Sequence, residues 1–138
     1  MVGGQDPPDE FLRGLEHPAV RLRGQITDPA EEFFAADVLL APNPTVTGAS
    51  ARILSGLTFG NCIVAHTDSL VGIPELADGH NSLLATTGPE HAKAVLRAVG
   101  DAVLRDAVGD GARSLFEQAF DARVAAGRIV RELERLPG

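Results

Sequence analysis

Thr45-Val46-Thr47-Gly48-Ala49-Ser50 is the segment best suited to meet a charged ligand. It follows the apolar run Val38-Leu39-Leu40-Ala41 and opens a helical pattern over residues 48–59. The first amides of a helix have no intrahelical acceptor and point outward, and small side chains let an anion reach them. Thr47 and Ser50 add hydroxyls, and Arg52 stands on the first turns, where a guanidinium can neutralise a phosphate. Two readings are open: a phosphate cradle, or an ordinary cap with a solvated arginine. A P-loop is excluded, because no Gly-Lys-Ser/Thr ending follows.

A second loop, Val71-Gly72-Ile73-Pro74-Glu75-Leu76, combines a tight glycine turn with an acidic side chain. Glu75 either orients a ligand hydroxyl or caps neighbouring backbone. The four histidines, His17, His66, His80 and His91, form no HxxxH or HxH pair, which argues against a metal site. Only His66, closing an apolar run, falls near the same crevice, and a non-catalytic role is expected for it. No Gly-x-Ser-x-Gly elbow or Ser-His-Asp order is present.

The elements that must position these residues follow from periodicity. Residues 38–41 and 62–65 are continuous apolar runs, as in strands buried on both faces. Strands are also expected at 1–4, 19–23 and 82–85, and helices at 7–15, 28–36 and 48–59. Asp28 suits an N-cap, and Gly60-Asn61 a helix end. A short helical turn is expected at 71–77. From Pro89 the pattern is helical to Leu136, divided at Gly100, Gly109 and Gly111, with a bend at Phe120-Asp121. Ala92, Val95, Leu96, Val99 and Val103 give the first of these helices a stripe read as core. The segment 124–136 is amphipathic and suits packing across a second domain or partner.

The fold class is therefore α/β: a Rossmann-like, doubly wound parallel sheet of about five strands, with helices on both faces and a helical carboxyl terminus. Ligands on such sheets sit at the carboxyl ends of the strands. Residues 1–120 are expected to form this domain and 121–138 a terminal helix.

With 138 residues there is room for one core. The net charge of −7 and the absence of Tyr and Trp argue against a generic nucleic-acid or anionic-membrane binder. Cys62 is the only cysteine, which excludes an intrachain disulfide and suits a small buried hydrophobe. No signal peptide or apolar span of about 20 residues stands out, so a cytoplasmic chain is expected.

In order along the chain, these pieces resemble the carboxyl-terminal, donor-binding half of GT-B-fold glycosyltransferases of the family 4 type, the glycosyl transferases group 1. The resemblance rests on Val2-Gly3-Gly4, on the segment 20–28, and on Ala35-Ala36-Asp37-Val38-Leu39-Leu40-Ala41-Pro42. It continues through Gly60-Asn61-Cys62-Ile63-Val64-Ala65, with Cys62 where a proline is usual. It ends with Gly72-Ile73-Pro74-Glu75-Leu76 and Asp78-Gly79-His80-Asn81-Ser82-Leu83-Leu84.

The resemblance implies a nucleotide-diphosphate sugar as ligand, transfer with retention, and no metal or other cofactor. It places the diphosphate and sugar at Thr47, Gly48, Ala49, Ser50 and Arg52, and the ribose at Ser55. The base falls by Gly24, Gln25 and Ile26, and Gly72 and Glu75 lie in the loop near the donor. The family often carries glutamates at the positions of Thr47 and Ser55. A neutral hydroxyl there gives up the charge-assisted part of a hydrogen bond, roughly 1–2 kcal/mol. The family's first strand-helix unit of this half, with its Arg/Lys phosphate clamp, and its acceptor domain would both precede Met1. The chain is thus expected to be a fragment or one half of a split enzyme, inactive alone and needing an acceptor-binding domain or chain. A degenerate domain kept for assembly is the alternative.

Overall fold

The computed structural model describes residues 9–24, 26–44 and 49–137. Its contacts divide the chain into two units, Met1–Glu31 and Glu32–Gly138.

In the first unit, α1 (Asp9–Gly14) starts on two acidic residues, which favour the positive end of a helix. Gly24 has a φ of 63°, a left-handed conformation that glycine adopts without a Cβ penalty. Asp28 accepts a hydrogen bond from the Ala30 amide at 3.0 Å and so caps the next helix. The strand expected at 19–23 is absent. The amides of Ala19 and Val20 turn back onto the His17 ring and carbonyl, and Val20 and Leu22 stay exposed. Alternation makes a strand only where a ladder partner exists, and local turn bonds win here. The strand expected at 1–4 lies outside the described residues.

The second unit is built on a parallel sheet of three described strands, fewer than the five expected. They are β1 (Val38–Ala41), β2 (Cys62–His66) and β3 (Leu83–Ala85), in the order β1-β2-β3. Val38 pairs with Cys62, and Val64 with Leu83. Successive β2 residues face opposite layers. Ile63 and Ala65 pack with Ile53 and Leu57 of α3 (Ala51–Phe59). Cys62 and Val64 pack with Ala98 of α4 (Gly88–Gly100) and Val108 of α5 (Ala102–Leu115). Helices thus cover both faces, as the doubly wound reading requires. Burial pushes the Cys62 thiol above its ordinary range.

Further clamps fix the layers. The Asn61 amide donates to the carbonyls of Phe33 and Ala36, tying α2 (Ala30–Ala35) to the start of β2. Phe33 stacks on Phe59 with ring centres 5.8 Å apart. Gly60 closes α3 in the left-handed region, and the Asn61 amide reaches back to the Gly56 carbonyl, a Schellman closure. Thr87 and Glu90 form a reciprocal capping box at α4. The backbone amides of Thr86 and Thr87 hold the Glu90 carboxyl below its usual range.

Two expectations about the terminal helices are corrected. Gly109 and Gly111 do not divide them but lie inside α5. A Cβ at Gly109 would stand 2.5 Å from the Gly60 carbonyl oxygen, and one at Gly111 would overlap that of His80. These glycines let α5 lie directly on the chain entering β2 and β3, at the amino ends of the strands. The stripe read as core on α4 is also largely outside: Leu96, Val99 and Val103 are 73%, 59% and 81% exposed. The inward face is His91 and Ala98, with Ala94 and Val95 beside them. A π-turn at Phe116–Phe120 makes the expected bend before α6 (Ala122–Glu134), which buries none of its residues.

Candidate functional site

Parallel pairing of β1 with β2 places the start of α3 and the loop after β2 at the same, carboxyl end of the sheet. This is the end opposite the α5 contacts. The start of α3 falls three residues later than the pattern over 48–59 suggests. Ser50 is extended (φ −69°, ψ 120°), and its Oγ accepts from the Ile53 amide at 3.4 Å, so helical residues begin at Ala51. The Leu54 amide bonds to the Ser50 carbonyl. A side-chain cap therefore uses one of the amides that an anion would otherwise meet. Ser50→Ala is expected to lower stability by about 0.5–1 kcal/mol, read from urea midpoints; an unchanged midpoint would deny the cap.

Ala49 is exposed, and Ser50, Arg52 and Ser55 are half-buried along the first turns of α3. Thr47 and Gly48 lie outside the described residues, as does Gln25. Gly24 and Ile26 belong to the first unit, Gly24 being its left-handed turn.

The helical turn expected at 71–77 comes earlier, as a 3-10 helix over Thr67–Val71. His66 starts it, its Nδ1 accepting from the Asp68 amide at 3.1 Å. Pro74 then sits inside a turn closed by the Leu76 amide on the Ile73 carbonyl, where its fixed φ suits the second position. Gly72 ends the 3-10 helix, whose five residues separate it from the carboxyl end of β2. Across that end Thr67 and Thr86 share a hydroxyl hydrogen bond of 3.0 Å.

Glu75 is exposed, and its carboxylate takes no part in the hydrogen bonds that shape the loop. Those come from two residues not singled out as site candidates. Asn81 is buried; its amide donates to the Glu75 carbonyl at 3.0 Å and accepts from the Ala77 amide at 2.7 Å. Asp78 accepts from the Leu84 amide at 2.8 Å, and Gly79 turns the chain with a φ of 75°. The Asp-Gly-x-Asn spacing carries the signal: an acidic cap, a left-handed turn and an amide clamp in four residues.

His66 stacks on His91 with ring centres 5.9 Å apart. His91 is buried, and its Nδ1 lies 2.8 Å from the Thr87 carbonyl. A carbonyl only accepts, so His91 Nδ1 carries the proton. Among the described residues no group of three or more His, Cys, Asp or Glu side chains could hold a metal ion. No helix among them is long and apolar enough to cross a membrane.

The chain is similar in structure to Anabaena Alr3699/HepE, solved in complex with UDP, with a TM-score of 0.65 and 20% sequence identity. The match covers 77% of this chain and 29% of that one, so the chain spans under a third of the relative's length. At that identity the likeness speaks to the fold. No curated protein sequence matches. The model of one family, described as glycosyl transferases group 1, matches residues 1–101. That match takes in the strands, the start of α3 and the Asn81-clamped loop, and the chain belongs to the glycosyl transferases group 1 family.

Proposed function

We propose that this chain is the donor-binding half of a glycosyltransferase that uses a nucleotide-diphosphate sugar. The observation that carries the reading is the β1-α3-β2 unit, which sets a Ser50-capped helix start at the carboxyl end of a parallel sheet. Positive helix ends at that edge suit a diphosphate. In this reading the amides from Gly48 through Ser50 take the diphosphate with Thr47, and Arg52 adds a cation. Ser55, one turn along α3, meets the ribose. Gly72 and Glu75 border the sugar. UDP bound to the HepE structure supports the ligand class by analogy of fold.

Transfer needs an acceptor-binding domain, carried in the same polypeptide or in a separate one. Helix α6 keeps Ile129, Val130 and Leu133 exposed and offers a surface for that half. Alone, the 138-residue chain binds donor without turnover. No metal is assigned a role.

Calorimetry with UDP, GDP and their sugars tests the reading. One of the two nucleotide series should bind with a Kd of about 1 mM or tighter. Arg52→Ala should weaken that binding about fivefold to tenfold, as loss of one charge-assisted contact does. Absence of binding by both series at millimolar ligand would overturn the proposal.

A further inference from the structure

Where β2 and β3 end, two imidazoles carry polar atoms that no described residue meets. His66 closes β2 in register with Ala85 of β3, and His91 stands on the first turn of α4. The hydrogen bonds of the two rings fix opposite tautomers. The Asp68 amide donates to His66 Nδ1, so the neutral His66 ring carries its proton on Nε2. His91 Nδ1 donates to the Thr87 carbonyl, so its Nε2 is an acceptor. One ring N–H and one ring lone pair are left over on neighbouring side chains.

The two cannot satisfy each other. Ring nitrogens bond in the plane of the ring, and these rings are stacked within 19° of parallel. His66 Nε2 makes no hydrogen bond among the described residues, and the His66 side chain is 12% exposed. His91 is 6% exposed, and its Nε2 is buried without a partner. A buried acceptor without a donor is costly, and in native proteins such a group generally meets a water or a ligand.

The surroundings choose between ligand chemistries. Asp68 holds a carboxylate oxygen 3.5 Å from His66 Nδ1, and the Glu90 carboxylate accepts from the Thr86 and Thr87 amides. Two carboxylates at this corner oppose an anion. Thr67 and Thr86 add neutral hydroxyls. A free donor and a free acceptor suit a group that both accepts and donates, which is a hydroxyl, as sugars carry. An ionised phosphate oxygen only accepts and leaves His91 Nε2 without a donor.

We propose that His66 and His91 form a sugar-hydroxyl subsite, in which ligand hydroxyls accept from His66 Nε2 and donate to His91 Nε2. Parallel pairing puts this subsite at the same end of the sheet as the start of α3. The sugar is the one carried by the nucleotide, an assignment that rests on the donor-half reading. Asp68 acts through His66, as a positioning residue that fixes its tautomer.

Nuclear magnetic resonance of the ring nitrogens, in the 138-residue chain titrated with UDP, UDP-glucose, GDP and GDP-mannose, tests it. A nucleotide sugar should move the His66 and His91 Nε2 resonances, and the matching free nucleotide should leave them in place. His66→Phe keeps a stacked ring and removes the N–H. It should weaken the nucleotide sugar about threefold to tenfold, as loss of one neutral hydrogen bond does, with free nucleotide bound as before. His66→Gln, whose amide N–H replaces the ring donor, should recover most of that loss. Unchanged affinity for free nucleotide also shows that each variant folds. Free nucleotide binding with no sugar-dependent shift at either ring would overturn the inference and leave the donor-half reading standing. So would a His66→Phe variant that loses nucleotide and nucleotide sugar equally, or loses neither. No binding by any of the four would remove the donor-half reading and this subsite with it.

Discussion

Gly111→Ala is expected to destabilise the chain by about 3 kcal/mol, the upper range for forcing an atom into a filled space. The added Cβ would overlap the His80 carbonyl oxygen and stand 3.0 Å from its carbon and 3.2 Å from the Asn81 Cα. All three neighbours are backbone, so no rotamer change relieves them, and α5 must lift from the chain entering β3. Alanine's better helix propensity, about 1 kcal/mol over glycine, offsets only part of this. Gly100→Ala is the control. It lies in the last turn of α4 with nothing within 4 Å of its would-be Cβ. It should leave stability unchanged or raise it by up to about 1 kcal/mol. The chain has no Trp or Tyr, so urea unfolding is best followed by far-ultraviolet circular dichroism. Equal midpoints for the two variants would show that α5 does not rest on this contact.

Asn81→Ala should cost about 1–2 kcal/mol, the loss of two part-buried hydrogen bonds made by a buried side chain. The Ala77 amide and the Glu75 carbonyl both lose their partner, and alanine offers no replacement. The effect should be local before it is global. Hydrogen exchange at Ala77 should accelerate well beyond what the loss of global stability explains, because the segment between Ile73 and Ser82 loses its clamp. Retained protection at Ala77 in the variant would mean that another group holds the loop. Asn81 lies within the stretch matched by the family model and Gly111 beyond it, and the work of both is positional: Gly111 seals the amino ends of the strands by contact with this loop, and Asn81 sets the path between β2 and β3.

The elements most legible in the sequence are those whose signal is local. The run Cys62–Ala65 is apolar and buried throughout because both faces of β2 are covered. In the equally unbroken run Val38–Ala41, Leu40 stays exposed, a correction to the expectation that this strand is buried on both faces. Gly60-Asn61 ended α3 as expected, since the closing geometry needs a left-handed residue there. The misreadings share a tertiary cause. A glycine read as a helix break and a glycine that admits a neighbouring backbone look identical in one sequence; only the positions of Gly60 and His80 separate them. On α4 two stripes share the helical period. The more hydrophobic one, with Leu96 and Val99, lies outside, and the inward one passes through His91 and Ala98, which carry little hydrophobic signal. The alternation at 19–23 promised a strand without saying what it would pair with.

The candidate site was legible as a location more than as a set of contacts. Strand order and the Ser50 cap fix where α3 begins, three residues beyond the periodic start, because a serine cap terminates the pattern that apolar spacing alone extends. Glu75 stood out by its charge, whereas Asn81, which fixes the path of its backbone, is neutral and adjoins an ordinary Asp-Gly turn.

Titration of UDP and GDP into the isotope-labelled chain, followed amide by amide by nuclear magnetic resonance, tests the central claim most directly. The donor-half reading predicts that the largest shifts fall at Ala49, Ser50 and Ala51 and extend to Gly72, with Gly60 and Gly111 at the opposite end of the sheet unmoved. Shifts confined to that opposite end, or none with either nucleotide at millimolar concentration, would contradict it.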